Sequence, residues 1–96
     1  MTIMTFGNRL KEWRTSKGLS QKEVALTLGI DAPMYSRVEK GERRIKRETL
    51  TKVAELYGIS IKTLINLWIA DKVYGMLSEE DDVKEILSII VDEFKN

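Results

Sequence analysis

Between Gly18 and Gly41 the chain carries two helical segments too short to stand on their own. Ser20 opens the first: its hydroxyl can accept from a backbone N–H, and Glu23, three residues on, completes a capping box. Val24, Ala25 and Leu28 form its apolar face, and Gly29 stops it after barely two turns. Asp31 caps the second segment. Pro33 sits just inside its start, where a fixed φ is already helical and the missing N–H costs nothing. Tyr35 and Val38 are its inward pair, and Gly41 is its stop. Helices this short are marginal in water, so both must be held by a surrounding body. The three-residue joint Gly29-Ile30-Asp31 sets them at an angle, as a helix-turn-helix.

The rest of the chain supplies that body. A first helix is expected from about Phe6 to Lys17, with Phe6, Leu10 and Trp13 on one face and Gly18 as its stop. A fourth runs from about Lys46 to Tyr57 on Leu50, Val53, Ala54 and Tyr57, and Gly58 ends it. Ser60 caps a fifth reaching about Met76. Ser78 caps a sixth through Lys95, with Glu79, Glu80, Asp81 and Asp82 at the positive end of its dipole. With 43% hydrophobic and 32% charged residues the 96-residue chain suits one globular core rather than disorder. The expected fold is all-α: a five-helix bundle with an extra C-terminal helix.

Composition removes most chemistry. There is no Cys and no His, hence no disulfide, no thiol chemistry, no Cys/His zinc site and no imidazole for acid–base work. No carboxylate spacing asks for a metal, and the Glu79–Asp82 run lacks the Gly-turned pattern of a calcium loop. Ser20 has no paired base and reads as a cap, not a nucleophile. With no Gly-rich phosphate loop either, neither an enzyme nor a cofactor is expected. The longest apolar run, Leu64 to Ala70, is broken by Asn66 and falls far short of the roughly 20 residues a membrane span needs. Met1 to Arg9 lacks a charged start followed by an apolar stretch, so no leader and no membrane partner are expected, and a cytoplasmic location is the expectation.

Charge is distributed unevenly. Residues 1–50 hold eleven Lys/Arg against six Asp/Glu, whereas residues 51–96 hold five against nine, which leaves a net charge of only +1. Within the basic half, residues 37–47 carry six Lys/Arg and two Glu, beside the second of the two short helices. Arg43, Arg44, Lys46 and Arg47 are placed to bond phosphates, and each phosphate neutralised contributes a salt slope of about −0.9. Such contacts position a protein on a duplex without specifying sequence.

The stretches Leu19-Ser20-Gln21-Lys22-Glu23-Val24-Ala25, Leu28-Gly29-Ile30 and Ser36-Arg37-Val38-Glu39-Lys40-Gly41-Glu42-Arg43, at their separation, form a specific pattern. It resembles the lambda-repressor-like (Cro/CI, XRE-type) DNA-binding family from about Phe6 to Leu64. Small regulators of that kind include phage Cro-like proteins and the controller proteins of restriction–modification systems. The resemblance implies double-stranded DNA as partner, with the second short helix, about residues 31–40, as the recognition helix. It implies that Gln21 contacts phosphate, joined by Lys22 and Lys40, and that Arg14 and Glu39 form a buried ion pair. Positions 32, 33 and 37 match those that read bases in the family. Ala32 and Pro33 depart from the pattern, because neither side chain can hydrogen-bond. Readout then leans on Arg37 for a guanine, on Met34 for a thymine methyl and on Ser36. Ile45 stands where the family often has proline.

The C-terminal third is too apolar for one packing face. On the sixth helix Val83, Ile86, Leu87, Ile90 and Phe94 form a stripe, yet Ile89 lies off it; on the fifth, Leu67 and Tyr74 point away from Leu64, Ile65 and Trp68. Trp13, Trp68 and Tyr74 read as packing residues rather than stacking platforms. We expect residues 1–63 to form the DNA-binding domain and residues 64–96 a dimerising extension, with Leu67, Tyr74, Ile86, Ile89, Ile90 and Phe94 in an isologous homodimer interface. Two copies about 34 Å apart would read a roughly palindromic operator. The rival expectation is a protein-interaction module whose C-terminal helices take a protein partner.

Overall fold

A computed structural model describes residues 5–95, so the start of the expected first domain, Met1 to Met4, lies outside the described residues. Among the described residues six helices follow one another: α1 (Phe6–Ser16), α2 (Gln21–Leu28), α3 (Ala32–Glu39), α4 (Leu50–Tyr57), α5 (Ile61–Leu77) and α6 (Val83–Glu93). A single 3-10 turn, Arg47–Thr49, leads into α4. No strand occurs among the described residues. The all-α architecture with a helix-turn-helix at its centre is thus the observed one.

Capping explains where the short helices begin. Ser20 Oγ accepts from Glu23 N at 3.0 Å, and Glu23 Oε1 accepts from Ser20 N at 2.9 Å, the reciprocal box. Asp31 Oδ1 accepts from Met34 N at 2.7 Å. Between the two, Gly29 adopts φ 75°, a conformation costly for any residue with a Cβ, and so turns the chain sharply. Thr5 and Ser60 cap α1 and α5 in the same manner.

Among the described residues the buried core is built from residues 6 to 64. Phe6, Leu10, Val24, Ala25, Leu28, Tyr35, Val38, Ile45, Leu50, Val53, Ala54 and Leu64 form one cluster. Trp13 and Tyr57 are half-buried at its margin, tilted against each other at a centroid distance of 5.8 Å. Beyond Leu64 no described residue is buried. The molecule extends over 43 × 27 × 23 Å with a radius of gyration of 15.1 Å. A compact chain of this length would have about 12 Å. The excess is the C-terminal arm, α6 and the far half of α5.

Two expected boundaries move. The fourth helix begins at Leu50 rather than Lys46, because the segment entering it is extended at Lys46 and tightens into the 3-10 turn. The sixth begins at Val83, not after Ser78. Ser78 instead closes α5, its hydroxyl donating to Gly75 O at 2.9 Å, and the acidic run lies in the joint before α6. Asp82 stands at the N-cap of α6 without a side-chain cap bond.

Two interactions fix α3 against α1. Glu39, at the end of α3, is bound bidentately by Arg14 (Nε to Oε2 2.7 Å, Nη2 to Oε1 3.1 Å), while Gln21 Nε2 donates to Oε1 at 3.0 Å. Arg14 Nη1 also donates to Leu19 O at 3.0 Å, so one guanidinium joins α1, the α1–α2 joint and α3. Burial alone would raise the Glu39 pKa, but the hydrogen bonds from Arg14 and Gln21, with the Arg14 charge, hold it below the ordinary glutamate range. At the other end of α1, the backbone of Gly7 lies against the last carbonyls of α3: a Cβ there would stand 2.6 Å from both Val38 O and Glu39 O.

These contacts yield two expectations. Gly7→Ala should destabilise the protein by about 1–3 kcal/mol despite alanine's better helix propensity, because backbone must shift. Gly75→Ala, where a Cβ meets nothing within 4 Å, should stabilise by about 0.5–1 kcal/mol. Denaturant melts of the two variants, measured together, check the contrast. Glu39→Gln, which leaves Arg14 without a counter-charge, should cost about 3–5 kcal/mol at neutral pH. Because the folded pKa of Glu39 is depressed, the unfolded chain takes up more protons in acid. Its contribution is complete above the ordinary glutamate pKa of about 4.3 and drains away as pH falls below it. Glu23, lowered by the Ser20 backbone and hydroxyl, acts in the same sense. Chemical melts from pH 7 to pH 3 should therefore show wild-type stability declining in acid, and a shallower decline in Glu39→Gln.

Candidate nucleic-acid interface

With its rear face locked by Tyr35, Val38 and Glu39, α3 turns a different set of residues outward. Pro33, Arg37 and Lys40, spaced i, i+4 and i+7, form one exposed row, with Ala32 and Ser36 half-exposed beside it. Met34 is not in that row. It is half-buried against the core, over a hollow lined by Leu28, Ile30, Ile45 and Thr49. The outward face therefore offers one guanidinium, one ammonium, one hydroxyl and two small apolar surfaces.

Cations flank this row on both sides. Lys22 is exposed in the first turn of α2. Gln21, beside it, is half-exposed, and one of its amide hydrogens is already committed to Glu39. On the other flank Arg43, Lys46 and Arg47 are exposed around the buried Ile45, which anchors the loop between α3 and α4 in the core. Arg44 departs from the expectation that the whole run faces outward to phosphate. Its guanidinium lies 4.5 Å over the Trp68 ring, donates to Trp68 O at 2.9 Å and pairs with Asp71 Oδ2 at 3.3 Å. Asp71 also accepts from Phe6 N at 2.9 Å through Oδ1. Neither Asp71 nor the tie to Trp68 is expected from the pattern of residues. The available signal is that Asp71 is the one carboxylate in α5.

The residues expected to meet a second copy are unevenly covered. Leu67 packs against the core, and Ile86 is half-buried; Tyr74, Ile89, Ile90 and Phe94 are exposed, Phe94 by 84%. Val73, Tyr74 and Leu77 of α5 face Val83 and Leu87 of α6 across an open apolar groove. Among the described residues no group of His, Cys, Asp or Glu is placed to hold a metal, and no helix is long and apolar enough to cross a membrane.

Comparison with known proteins agrees with this geometry. Residues 10–64 match the family described as helix-turn-helix. A Bacillus subtilis protein, the SPbeta prophage-derived uncharacterized HTH-type transcriptional regulator YonR, is 43% identical over 60 residues, which are 62% of this chain and 56% of that protein. The chain spans about half the length of such curated relatives. The crystal structure of the restriction-modification controller protein C.AhdI from Aeromonas hydrophila shares 39% identity at a TM-score of 0.55, covering 62% of this chain and 86% of that one. PA4674 from Pseudomonas aeruginosa, crystallised with its operator DNA, is 18% identical. It covers 90% of this chain and 91% of its own at a TM-score of 0.71, a likeness of fold that takes in most of the C-terminal arm. The matched residues 10–64 hold the capped joint, the Arg14–Glu39 pair and the basic run, and the chain belongs to the lambda-repressor-like, XRE-type helix-turn-helix family.

Proposed function

We propose that this chain is a sequence-specific DNA-binding transcriptional regulator, not an enzyme, acting as a homodimer on a roughly palindromic operator. One observation carries the reading: the exposed Pro33–Arg37–Lys40 row of α3, braced from behind and flanked by cations on both sides. A helix presented in this way fits a major groove about 12 Å wide. Arg37 addresses a guanine through its paired donors, Ser36 offers a hydroxyl, and Ala32 and Pro33 offer apolar contact to thymine methyls. Met34, held against the core, supports the helix more than it reads. Gln21 and Lys22 on one flank, and Lys40, Arg43, Lys46 and Arg47 on the other, grip phosphates. The operator DNA named with PA4674 and the regulators among the relatives support the same reading.

Residues 64–96 serve as the dimerising part on this reading. The exposed apolar side chains of α6 and the groove beside it are what a second copy would cover, and the two-fold axis would place two recognition helices about 34 Å apart.

Selection of bound duplexes from a random pool at two salt concentrations, with sedimentation of the free protein, tests both halves. Enrichment of an inverted repeat, lost as salt rises, is expected together with a dimer in solution. Salt-sensitive binding without a motif would sink sequence-specific readout, and no binding at all would leave the arm as a docking module for another protein. Arg37→Ala should weaken binding to the selected operator by about 1–3 kcal/mol while leaving binding to unrelated DNA nearly unchanged. Ile89→Glu, at a position 54% exposed, should leave the melting of the core intact, yet shift the protein to monomer and weaken operator binding.

A further inference from the structure

Arg44 is the member of the basic run whose side chain, still 36% exposed, lies back along the surface of α5, and three partners hold it: the Trp68 ring, Trp68 O and Asp71 Oδ2. The same two residues of α5, one turn apart, hold more than this side chain. Trp68 Nε1 donates to Ile45 O at 2.9 Å, fixing the backbone of the same loop, and Asp71 Oδ1 accepts the first amide of α1, Phe6 N, at 2.9 Å. Three segments distant in sequence, the start of α1, the basic loop and the middle of α5, therefore meet at one indole and one carboxylate.

The geometry points to a positioning latch: Trp68 and Asp71 clamp Arg44 so that the loop from Gly41 to Lys46 is ordered before binding, with Arg43, Lys46 and Arg47 set beside α3. Arg44 is a tie within the protein rather than a phosphate ligand. Trp68 and Asp71, which touch no DNA on this view, become residues on which the grip depends. The inference rests on the DNA-binding reading given above. An isolated surface ion pair would contribute almost nothing, but here the pair is joined by a ring stack and a bond to a carbonyl. Only a planar guanidinium can stack and donate in two directions at once, so lysine cannot replace it. A loop released from the latch must be re-ordered on binding, and apparent affinity is the intrinsic affinity multiplied by the fraction of chains still latched.

The discriminating substitution is Arg44→Lys, which conserves charge. It should lower operator affinity by about five- to tenfold while leaving the slope of log affinity against log salt at the wild-type value. Asp71→Ala should do the same, and the double variant should be no worse than either single one, as for two members of one unit. Arg43→Gln serves as the reference, losing one phosphate contact and about 0.9 of slope. Arg44→Lys binding like wild type, with Arg44→Gln losing about 0.9 of slope, would make Arg44 a phosphate ligand and overturn the latch. A gain in both affinity and slope in Asp71→Ala would overturn it too, by showing that Asp71 withholds a cation from the DNA. A measurement without DNA separates this inference from the function. In Trp13→Phe, where Trp68 is the sole tryptophan, both Arg44→Lys and Asp71→Ala should increase acrylamide quenching of its fluorescence. Unchanged quenching refutes the latch whatever the DNA results, whereas increased quenching in a protein that binds no DNA would retain the latch and discard its role in binding.

Discussion

A single carboxylate, Glu39, only 3% exposed at its side chain, organises the half of the molecule that carries the candidate interface. Three helices would otherwise meet with little to register them, since α2 and α3 are eight residues each and contribute few buried side chains apiece. Arg14 from α1 and Gln21 from α2 converge on that carboxylate at the end of α3. A buried ion pair is weak evidence for net stability, because desolvation consumes much of the attraction. Its value is in geometry: a bidentate fork tolerates one relative placement of two helices. The Gly7 contact acts in the same sense by packing, since backbone against backbone at the end of α3 leaves no slack. The outward row of α3 is thus set by residues on its opposite face.

The same cluster contains a cost. The hydroxyls of Tyr35 and Tyr57 are buried without hydrogen-bond partners among the described residues. Burial, with Glu39 nearby, pushes both phenols to ionise at higher pH, so they stay neutral, and the negative charge of the cluster stays on Glu39. Tyr35 fills the space beneath α3 as its largest buried side chain, and the volume it supplies offsets an unpaired hydroxyl.

How much of this is legible in sequence depends on the range of the interaction. Caps and stops are local: Ser20 with Glu23, Asp31, and Gly29 each act within four residues, and the helix-turn-helix follows from them directly. The stripe of α3 is equally legible, because Tyr35 and Val38 can face only one way on a helix of that length. Ser78 misleads for a physical reason. A serine followed by acidic residues has the composition of a helix start, yet a serine hydroxyl can equally bond back to a carbonyl of the preceding turn, and here it bonds to Gly75 O. Arg44 misleads because its partners lie 24 and 27 residues away, and no periodicity connects them. Within a run of cations, sequence shows the number of charges but not which one the fold consumes. Met34 is a milder case, since a flexible apolar side chain beside an exposed row can fold back onto the core.

The molecule is divided between a braced body and an uncovered arm, and on the proposed reading the two have complementary reasons. One α3 offers a single guanidinium for bidentate readout, worth about 1–3 kcal/mol of discrimination, whereas specific sites are told from the rest of a genome by about 4–10 kcal/mol. Ala32 and Pro33 add shape but no hydrogen bonds, so one copy falls short however well α3 is held. Doubling the readout requires a second copy held rigidly at one helical turn, and rigidity between copies requires a sizeable apolar contact. The body supplies little of it: apart from the exposed Leu26 and Ile61, its large apolar side chains lie in or against its own core, which ends at Leu64. The arm can: Ile89, Ile90, Val91 and Phe94 are exposed on α6, uncovered by the other described residues. On that reading a poor set of base contacts and an excess of apolar surface, each a defect in a monomer, would be resolved by the same two-fold axis.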